Sequence, residues 1–353
     1  MLILRSSYSE DDVILLLKDI TGLVKPQSTE EREKLIQSGK HYSEMLPIEY
    51  IPTEKYMKVY YEALDNYSKP VADAVGKLSD KIVENKGKDV VLVSLARAGI
   101  PIGILVKRYI KYKYNIDVPH YSISIIRGRG IDDNAMKYLL GKYAPSQLLF
   151  VDGWIGKGAI LNELKKDISA YEGVSADIAV IADPAKVTEL CGTHDDILIP
   201  SSCLNSTVSG LISRTFLRDD IIGKDDFHGA VYYGELKDSD LSYAFIDAIE
   251  NDFSVENLQE DDRAIEGQGI DEVQEIGKHF GIDNINLIKP GIGEATRVLL
   301  RRVPWKVLID EQYKGDPQLG HLVRLAEEKA VPIEYYPLKH YKCCGIIKKI
   351  ADA

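Results

Sequence analysis

Leu148-Leu-Phe-Val-Asp152-Gly-Trp-Ile-Gly156-Lys-Gly-Ala159 is the stretch that decides how this chain folds. Four consecutive apolar residues predict a buried strand that delivers Asp152 at its carboxyl end. A glycine-rich turn from Gly153 to Gly158 follows. From Ala159 to Tyr171 the apolar residues Ile160, Leu164 and Ile168 recur at every fourth position, one face of a helix. A strand, a glycine turn and a helix opening aim backbone N–H groups and the positive helix end at an anion. Lys157 adds a mobile positive charge. A plain strand-to-helix connection competes with that reading, because glycine-rich turns are common there.

Two neighbouring segments repeat the pattern. Val90-Val-Leu-Val-Ser94-Leu-Ala96-Arg97-Ala98-Gly99-Ile-Pro101 is another apolar run, ending in an arginine and a glycine before a helix start. Arg97 is of the type that grips two phosphate oxygens at once. Tyr121 to Ile126 is a third strand, followed by Arg127-Gly-Arg129-Gly, a cationic loop. Ile178–Ile181 and Ile197–Ile199 are further strand candidates. Apolar strands separated by helices predict a parallel sheet covered on both faces, the α/β class. Ligands in such sheets sit at the carboxyl ends of the strands. The dinucleotide fingerprint GxGxxG is absent, so three cation-and-glycine strand ends suit a pyrophosphate-bearing sugar better. Upstream of Val90 the chain reads mostly helical, over 11–20, 30–39 and 52–85.

The chain has 353 residues, enough for two or three domains, and 45% of them are apolar. The net charge of −11 excludes a globally basic nucleic-acid binder. No apolar run approaches a membrane span of roughly 20 residues, so no membrane partner is expected. The opening residues lack a signal-peptide layout, and Cys191, Cys203, Cys343 and Cys344 form no CxxC pair. Both features suit a reducing cytoplasm. Charge is uneven: residues 1–270 carry −12 and residues 271–353 carry +1. The acidic, glycine-terminated stretch 251–269 reads as a linker. The predicted division is a helical extension over 1–88, a core over 89–200, a polar hood over 200–250, the linker, and a second unit over 270–353. That second unit alternates helix and strand. Its helices are expected at 271–280, 294–302 and 320–329, and its strands at 286–289, 306–309 and 333–336.

Several phrases carry a resemblance to known families. The segment 148–159 resembles the phosphoribosyl-diphosphate loop of type I phosphoribosyltransferases, and 94–99 resembles their pyrophosphate loop. More closely, residues 1–250 resemble a phosphoribosyltransferase-like family of tellurite-resistance and stress operons, a group also labelled as a cysteine protease, StiP. The phrases GKHYSEMLPIEY (39–50), VSLARAGIPIGIL (93–105), HYSISIIRGRGID (120–132), PSSCLNSTVSGLISRT (200–215) and DFHGAVYYGEL (226–236) carry it. The resemblance implies a 5-phosphate site at Gly156, Lys157, Gly158 and Ala159, with Gly153 in the same loop. It implies a pyrophosphate site at Ser94, Ala96, Arg97, Ala98 and Gly99, and Asp152 on the ribose hydroxyls. Arg127 and Arg129 would neutralise leaving-group charge. Mg²⁺ is implied by the same route only, and no metal-ligating residues are assigned. The usual second acid of the motif is Gly153 here, and its threonines are Ile155 and Lys157.

The polar segment 200–215 and Asp226–Gly229 hold Cys203 and His228, the alternative nucleophile and base of a cysteine hydrolase. The competing explanation is a buried small thiol and a satisfied core histidine. Arg214 is a further anion contact. In the tail, Lys289-Pro-Gly291-Ile-Gly293-Glu294-Ala-Thr-Arg297-Val-Leu-Leu-Arg301-Arg302 resembles the helix opening of the Pelota and kink-turn-binding superfamily, which meets RNA. Residues 307–312, 331–332 and 341–347 match that superfamily's later strand, turn and helix start. Its asparagine is Gly293 here. Residues 285–306 hold five cations and one acid.

Two function classes follow. One is an enzyme that transfers a 5-phosphoribosyl group between pyrophosphate and a nucleobase-like or RNA-linked acceptor in a stress response, with the cysteine hydrolase as its enzymatic rival. The other is a non-enzymatic nucleotide or phosphosugar sensor coupled to RNA. Expected partners are phosphoribosyl diphosphate or a nucleotide, structured RNA, and a second copy of the chain in a homodimer.

Overall fold

The computed structural model describes residues 4–49, 51–256 and 267–349, without the side chains of residues 55, 56 and 301. Six parallel strands form the first sheet: β1 (Ile14–Leu15), β2 (Val91–Leu95), β3 (His120–Ile123), β4 (Leu148–Trp154), β5 (Ile178–Ala182) and β6 (Cys191–Thr193). Their spatial order is β1-β3-β2-β4-β5-β6. The sheet is covered on both faces, as the unbroken apolar runs require. One face meets α2 (Glu54–Lys86), α3 (Gly99–Tyr114) and α6 (Ser242–Glu250); the other meets α4 (Asp133–Leu140) and α5 (Ala159–Ile168). A short helix, α1 (Thr29–Gln37), precedes α2 and opens on a capping box between Ser28 and Glu31.

The second sheet contains β7 (Ile288–Pro290), β8 (Pro304–Ile309), β9 (Ile333–Tyr335) and β10 (Cys343–Ile347) in the order β7-β10-β8-β9. Helices α7 (Gly269–Phe280), α8 (Ile292–Arg301) and α9 (Gly320–Glu328) pack around it. The fold is therefore α/β, a parallel sheet followed by a smaller mixed one. Among the described residues no helix is long and apolar enough to cross a membrane.

Three segments differ from the sequence expectation. Residues 11–20 are not helical: Leu15 and Leu17 enter the core on one face of the sheet and Leu16 the core on the other. That alternation is a strand's, and the segment supplies β1. Ile197–Ile199 is not the last strand. Its place is taken by Cys191–Thr193, where a Cβ on Gly192 would sit 2.4 Å from the Ala74 carbonyl oxygen. Only glycine lets α2 lie that close to the sheet edge. Residues 341–347 are not a helix start. They lead into β10, which is buried at every position and pairs antiparallel with both β7 and β8.

The two units are not separate cores. Ile292, Ala295 and Leu299 of α8 and Leu322 and Leu325 of α9 belong to the same apolar cluster as Val71, Val75 and Leu78 of α2. The linker expected at 251–269 runs through residues 257–266, which lie outside the described residues.

Candidate active site

A cavity of about 920 Å³ opens at the carboxyl ends of β2 and β4 and is closed on its far side by the second unit. Cations from six parts of the chain line it: Arg32 of α1, Arg97 after β2, Arg127 after β3, Lys157 after β4, Arg214 of the hood, and Lys289, Arg297, Arg302, Lys348 and Lys349 of the tail. The residues read separately as phosphate contacts and as RNA contacts thus share one space.

The cations fall into two groups by mutual influence. Burial, then Arg32, Arg302 and Arg97, push the Arg214 guanidinium down to about 9. It lies 4.7 Å over the Tyr42 ring. Arg32 is also lowered, by burial and by Arg302, and its Nε has no hydrogen-bond partner among the described residues. Acids offset only part of this charge. Arg302 forms a two-pronged pair with Glu33 at 2.5 and 2.9 Å. Arg97 donates to the Ile212 carbonyl at 2.8 Å and lies 3.4 Å from Glu49, whose other carboxylate oxygen is buried with no partner among the described residues. Asn205 also lines the cavity, and its Oδ1 is buried with no hydrogen-bond partner among the described residues.

The second group surrounds the glycine turn. Burial, reinforced by Lys289 and Arg127, pushes Lys157 down to about 7, and burial pushes Lys289 down to about 8. Burial alone would raise Glu294, but Arg297, Lys289 and Lys157 hold it below the usual carboxylate range. Burial raises Asp152 to about 6. Its Oδ1 accepts from the Gly153 N–H at 2.8 Å. Gly158, at φ 81°, is the N-cap of α5 and leaves that helix opening without a side-chain cap. Uncapped N–H groups at a helix start favour an anion.

The glycine turn is also a docking point for the tail. Lys157 Nζ donates to the Ile285 carbonyl and, at 3.0 Å, to that of Ile288. The Tyr341 hydroxyl donates to the Gly156 carbonyl at 2.6 Å. Asp196 caps α8 by accepting from the Ile292 N–H at 3.0 Å, just past Gly291 at φ 86°. Arg297 stacks 4.4 Å from the Trp154 ring centre. A Cβ on Gly293 would collide with that ring at 2.4 Å. The superfamily's asparagine therefore has no room at position 293.

Several sequence expectations need correction. Ser94 and Gly99 do not face the cavity. The Ser94 hydroxyl is buried 2.6 Å from His120 Nε2 and 2.9 Å from the Gly99 carbonyl, and Gly99 is glycine because a Cβ there would meet the Val151 carbonyl at 2.4 Å. Ala96 is not among the lining residues, whereas Ala98 is. Arg129 turns away to pair with Glu44. Lys289, Gly291, Gly293, Glu294, Arg297 and Arg302 face the first unit and not an outer surface; the Arg301 side chain lies outside the described residues. Cys203 and His228 are not brought together. Cys203, 1% exposed, packs in the core beside Tyr60. His228 Nδ1 meets the Ser124 hydroxyl at 2.9 Å, and the His228 backbone N–H donates to Asp132 Oδ2 at 2.5 Å.

The sequence reading missed Arg32, Tyr42, Glu49, Trp154 and Asn205. Tyr42 and Glu49 sit in the phrase 39–50, whose density of aromatic and charged residues was the available signal. Arg32 had none, lying in an acidic helix. The residues present do not build a metal cage: no group of three or more His, Cys, Asp or Glu side chains converges among the described residues. Within the cavity, Glu294 pairs with Arg297 and Glu49 faces Arg97, leaving Asp152 and Asp283, too few for a cage. No step is therefore derived through Mg²⁺.

Comparison with known proteins agrees with this two-part architecture. Residues 267–349 match the model described as the PELOTA RNA binding domain. Solved structures similar to part of the chain include a hypoxanthine-guanine phosphoribosyltransferase of Bacillus anthracis, at 19% identity and TM-score 0.27 over 35% of this chain and 76% of that one. A xanthine-guanine-hypoxanthine phosphoribosyltransferase of Helicobacter pylori matches at 15% identity and TM-score 0.23, over 39% and 78%. The cysteine protease StiP of Acinetobacter baylyi is 35% identical over 98% of this chain and 94% of its own length. Residues 6–250 match the family model described as the tellurite-like stress resistance cysteine protease StiP, and with that relative spanning nearly the whole chain, the protein belongs to the StiP family.

Proposed function

We propose that the shared cavity binds a phosphorylated ribose and that the chain transfers a 5-phosphoribosyl group between pyrophosphate and a nucleobase-like or RNA-linked acceptor. One observation carries this: ten cations from both units line one cavity at the carboxyl end of a parallel sheet, against four carboxylates. A site held under that much self-repulsion gains most from a ligand bearing several phosphate charges. In this reading Arg32, Arg97, Arg214 and Arg302 hold pyrophosphate. The α5 opening with Lys157 and Lys289 holds the 5-phosphate. Asp152 accepts from the ribose hydroxyls and opposes positive charge developing on the sugar. Because α8 walls the cavity, RNA reaches it as a terminal nucleotide.

The test is exchange. The chain is incubated with nucleoside 5′-monophosphates, free or at an RNA end, together with labelled pyrophosphate. Labelled phosphoribosyl diphosphate is the expected product from a free nucleotide, and from an RNA end the released base with the label retained on the RNA's terminal ribose. Absence of both with every donor removes the transferase and leaves a binding protein.

A second reading, hydrolysis by a cysteine, is supported by the name of the 35%-identical relative. It requires a thiol beside a base, and Cys203 with His228 does not supply that pair.

A further inference from the structure

A second cavity of about 690 Å³ lies at the edge of the first sheet, adjoining the cation-lined one at Leu161 and Ile178. Cys191, Thr193 and His194 border it, on and just beyond β6; Cys191 is as buried as Cys203, at 1% exposed, and differs from it in having an imidazole beside its sulfur. Cys191 Sγ lies 3.5 Å from His194 Nε2 and 3.7 Å from Nδ1. Nδ1 is 3.0 Å from the Asp183 carbonyl oxygen, an acceptor, so Nδ1 carries the proton. That tautomer leaves the lone pair on Nε2, the nitrogen nearer the sulfur. The Asp183 carboxylate supports the ring from behind: its Oδ2 is 3.7 Å from Nδ1 and accepts from the Val187 and Thr188 N–H groups. Asp183 is fully buried, and its Oδ1 has no hydrogen-bond partner among the described residues. A thiol, an imidazole in the right tautomer and a buried acid are the parts of a nucleophile–base–orienter set.

The surroundings point to the substrate. Lys77, Lys81 and Lys86 of α2 and Lys165 of α5 line this cavity, against Asp177 and Glu189. Lys86 lies 3.7 Å from Asp177, which is half exposed. The balance favours an acidic segment. β6 is the last strand of the sheet among the described residues, so an extended peptide laid along its outer edge would run past Cys191.

We propose that Cys191, His194 and Asp183 form a nucleophilic site that cleaves acyl bonds in acidic peptide segments. The assignment rests on the hydrolase reading and supplies its missing pair. His194 Nε2 takes the thiol proton, and sulfur bonds to the peptide carbonyl carbon. The C–N bond then breaks as the leaving amine takes that proton. Water, deprotonated by the same nitrogen, attacks the thioester, releasing the acid and restoring the thiol. Cys191 is the catalytic residue, His194 its base and Asp183 a positioning residue.

The test uses the full native chain and peptide vinyl sulfones carrying either Asp-Glu or Lys-Lys, with the modified cysteine located by peptide mass mapping. Cys191 is expected to react at least about tenfold faster than the other three cysteines and about tenfold faster with the acidic probe. His194→Gln is expected to slow its labelling about 100-fold at neutral pH. The wild-type mapping stands even where the variant does not fold. Labelling at Cys203 would overturn the site while keeping the hydrolase reading. Labelling at no cysteine before denaturation would overturn both. An unchanged rate at Cys191 in a folded His194→Gln chain would reduce it to an accessible thiol and overturn the proposal.

Discussion

Asp152 and Lys157 sit five positions apart in one turn, and burial moves them toward each other on the pH scale: Asp152 up to about 6 and Lys157 down to about 7. Ribose hydroxyls prefer the ionised carboxylate, which forms as pH rises through about 6. Phosphate prefers the protonated lysine, which is lost as pH rises through about 7. Affinity for phosphoribosyl diphosphate should therefore peak between those values and fall on both sides. Because bound phosphate holds the lysine proton, binding at pH 7.5 should take up protons. Calorimetry in buffers of different ionisation enthalpy measures that uptake, and heat independent of buffer would count against a phosphate beside Lys157. Arg214 supplies a complementary case. Its repulsion by Arg32, Arg302 and Arg97 is present without ligand. Arg214→Met should leave the melting temperature undiminished while weakening phosphoribosyl diphosphate by about 1.5–3 kcal/mol, the scale of a charge-assisted hydrogen bond.

At the scale of elements, the strand-turn-helix units were legible because their apolar runs and glycines are local signals. The strands at 91–95, 148–154 and 178–182 and the helix from Ala159 follow from four-residue apolar runs and a fourfold spacing. Residues 11–20 were misread because a five-residue apolar run, Val13–Leu17, has no period that separates strand from helix; only pairing with β3 settles it. Which glycines face a ligand was not legible either. Gly99 and Gly293 both read as binding residues, and both are glycine because another element presses on them, the β4 backbone at Gly99 and the Trp154 ring at Gly293. Gly293→Asn should cost about 1–3 kcal/mol through overpacking, measured by denaturant unfolding. Gly153→Ala, whose nearest neighbour would be the Ala98 carbonyl at 3.5 Å, should be tolerated. Equal stability of the two variants would mean that α8 does not rest on Trp154.

For the whole molecule, the sequence signalled two units and concealed their union. Each motif matched its own family, and nothing in either states that the basic helix α8 turns inward onto the glycine turn. That contact depends on residues 185 and 146 positions apart, Tyr341 with Gly156 and Lys342 with Asp196, which no local pattern carries. The 83-residue tail, 267–349, has the length of a free-standing domain, but α8 and α9 bury apolar residues against α2. Expressed alone it should bind a hydrophobic dye and unfold with low cooperativity, and addition of the first unit should reverse both. Cooperative unfolding of the isolated tail at the temperature of the full chain would show that the shared core is dispensable.

One consequence of the shared cavity is competition. On the proposed reading, an RNA that enters as a terminal nucleotide already carrying its base puts its own ribose and 5-phosphate in the space that phosphoribosyl diphosphate needs. The most direct measurement is calorimetric titration of phosphoribosyl diphosphate into the full chain near pH 6.5, alone, in the Arg214→Met variant, and with a short RNA oligomer present. One ligand per chain is expected. Affinity should fall roughly 10- to 100-fold in the variant, the equivalent of the energy above, and again when RNA is added. Absence of binding, or binding indifferent to Arg214, would contradict the shared anion cavity itself.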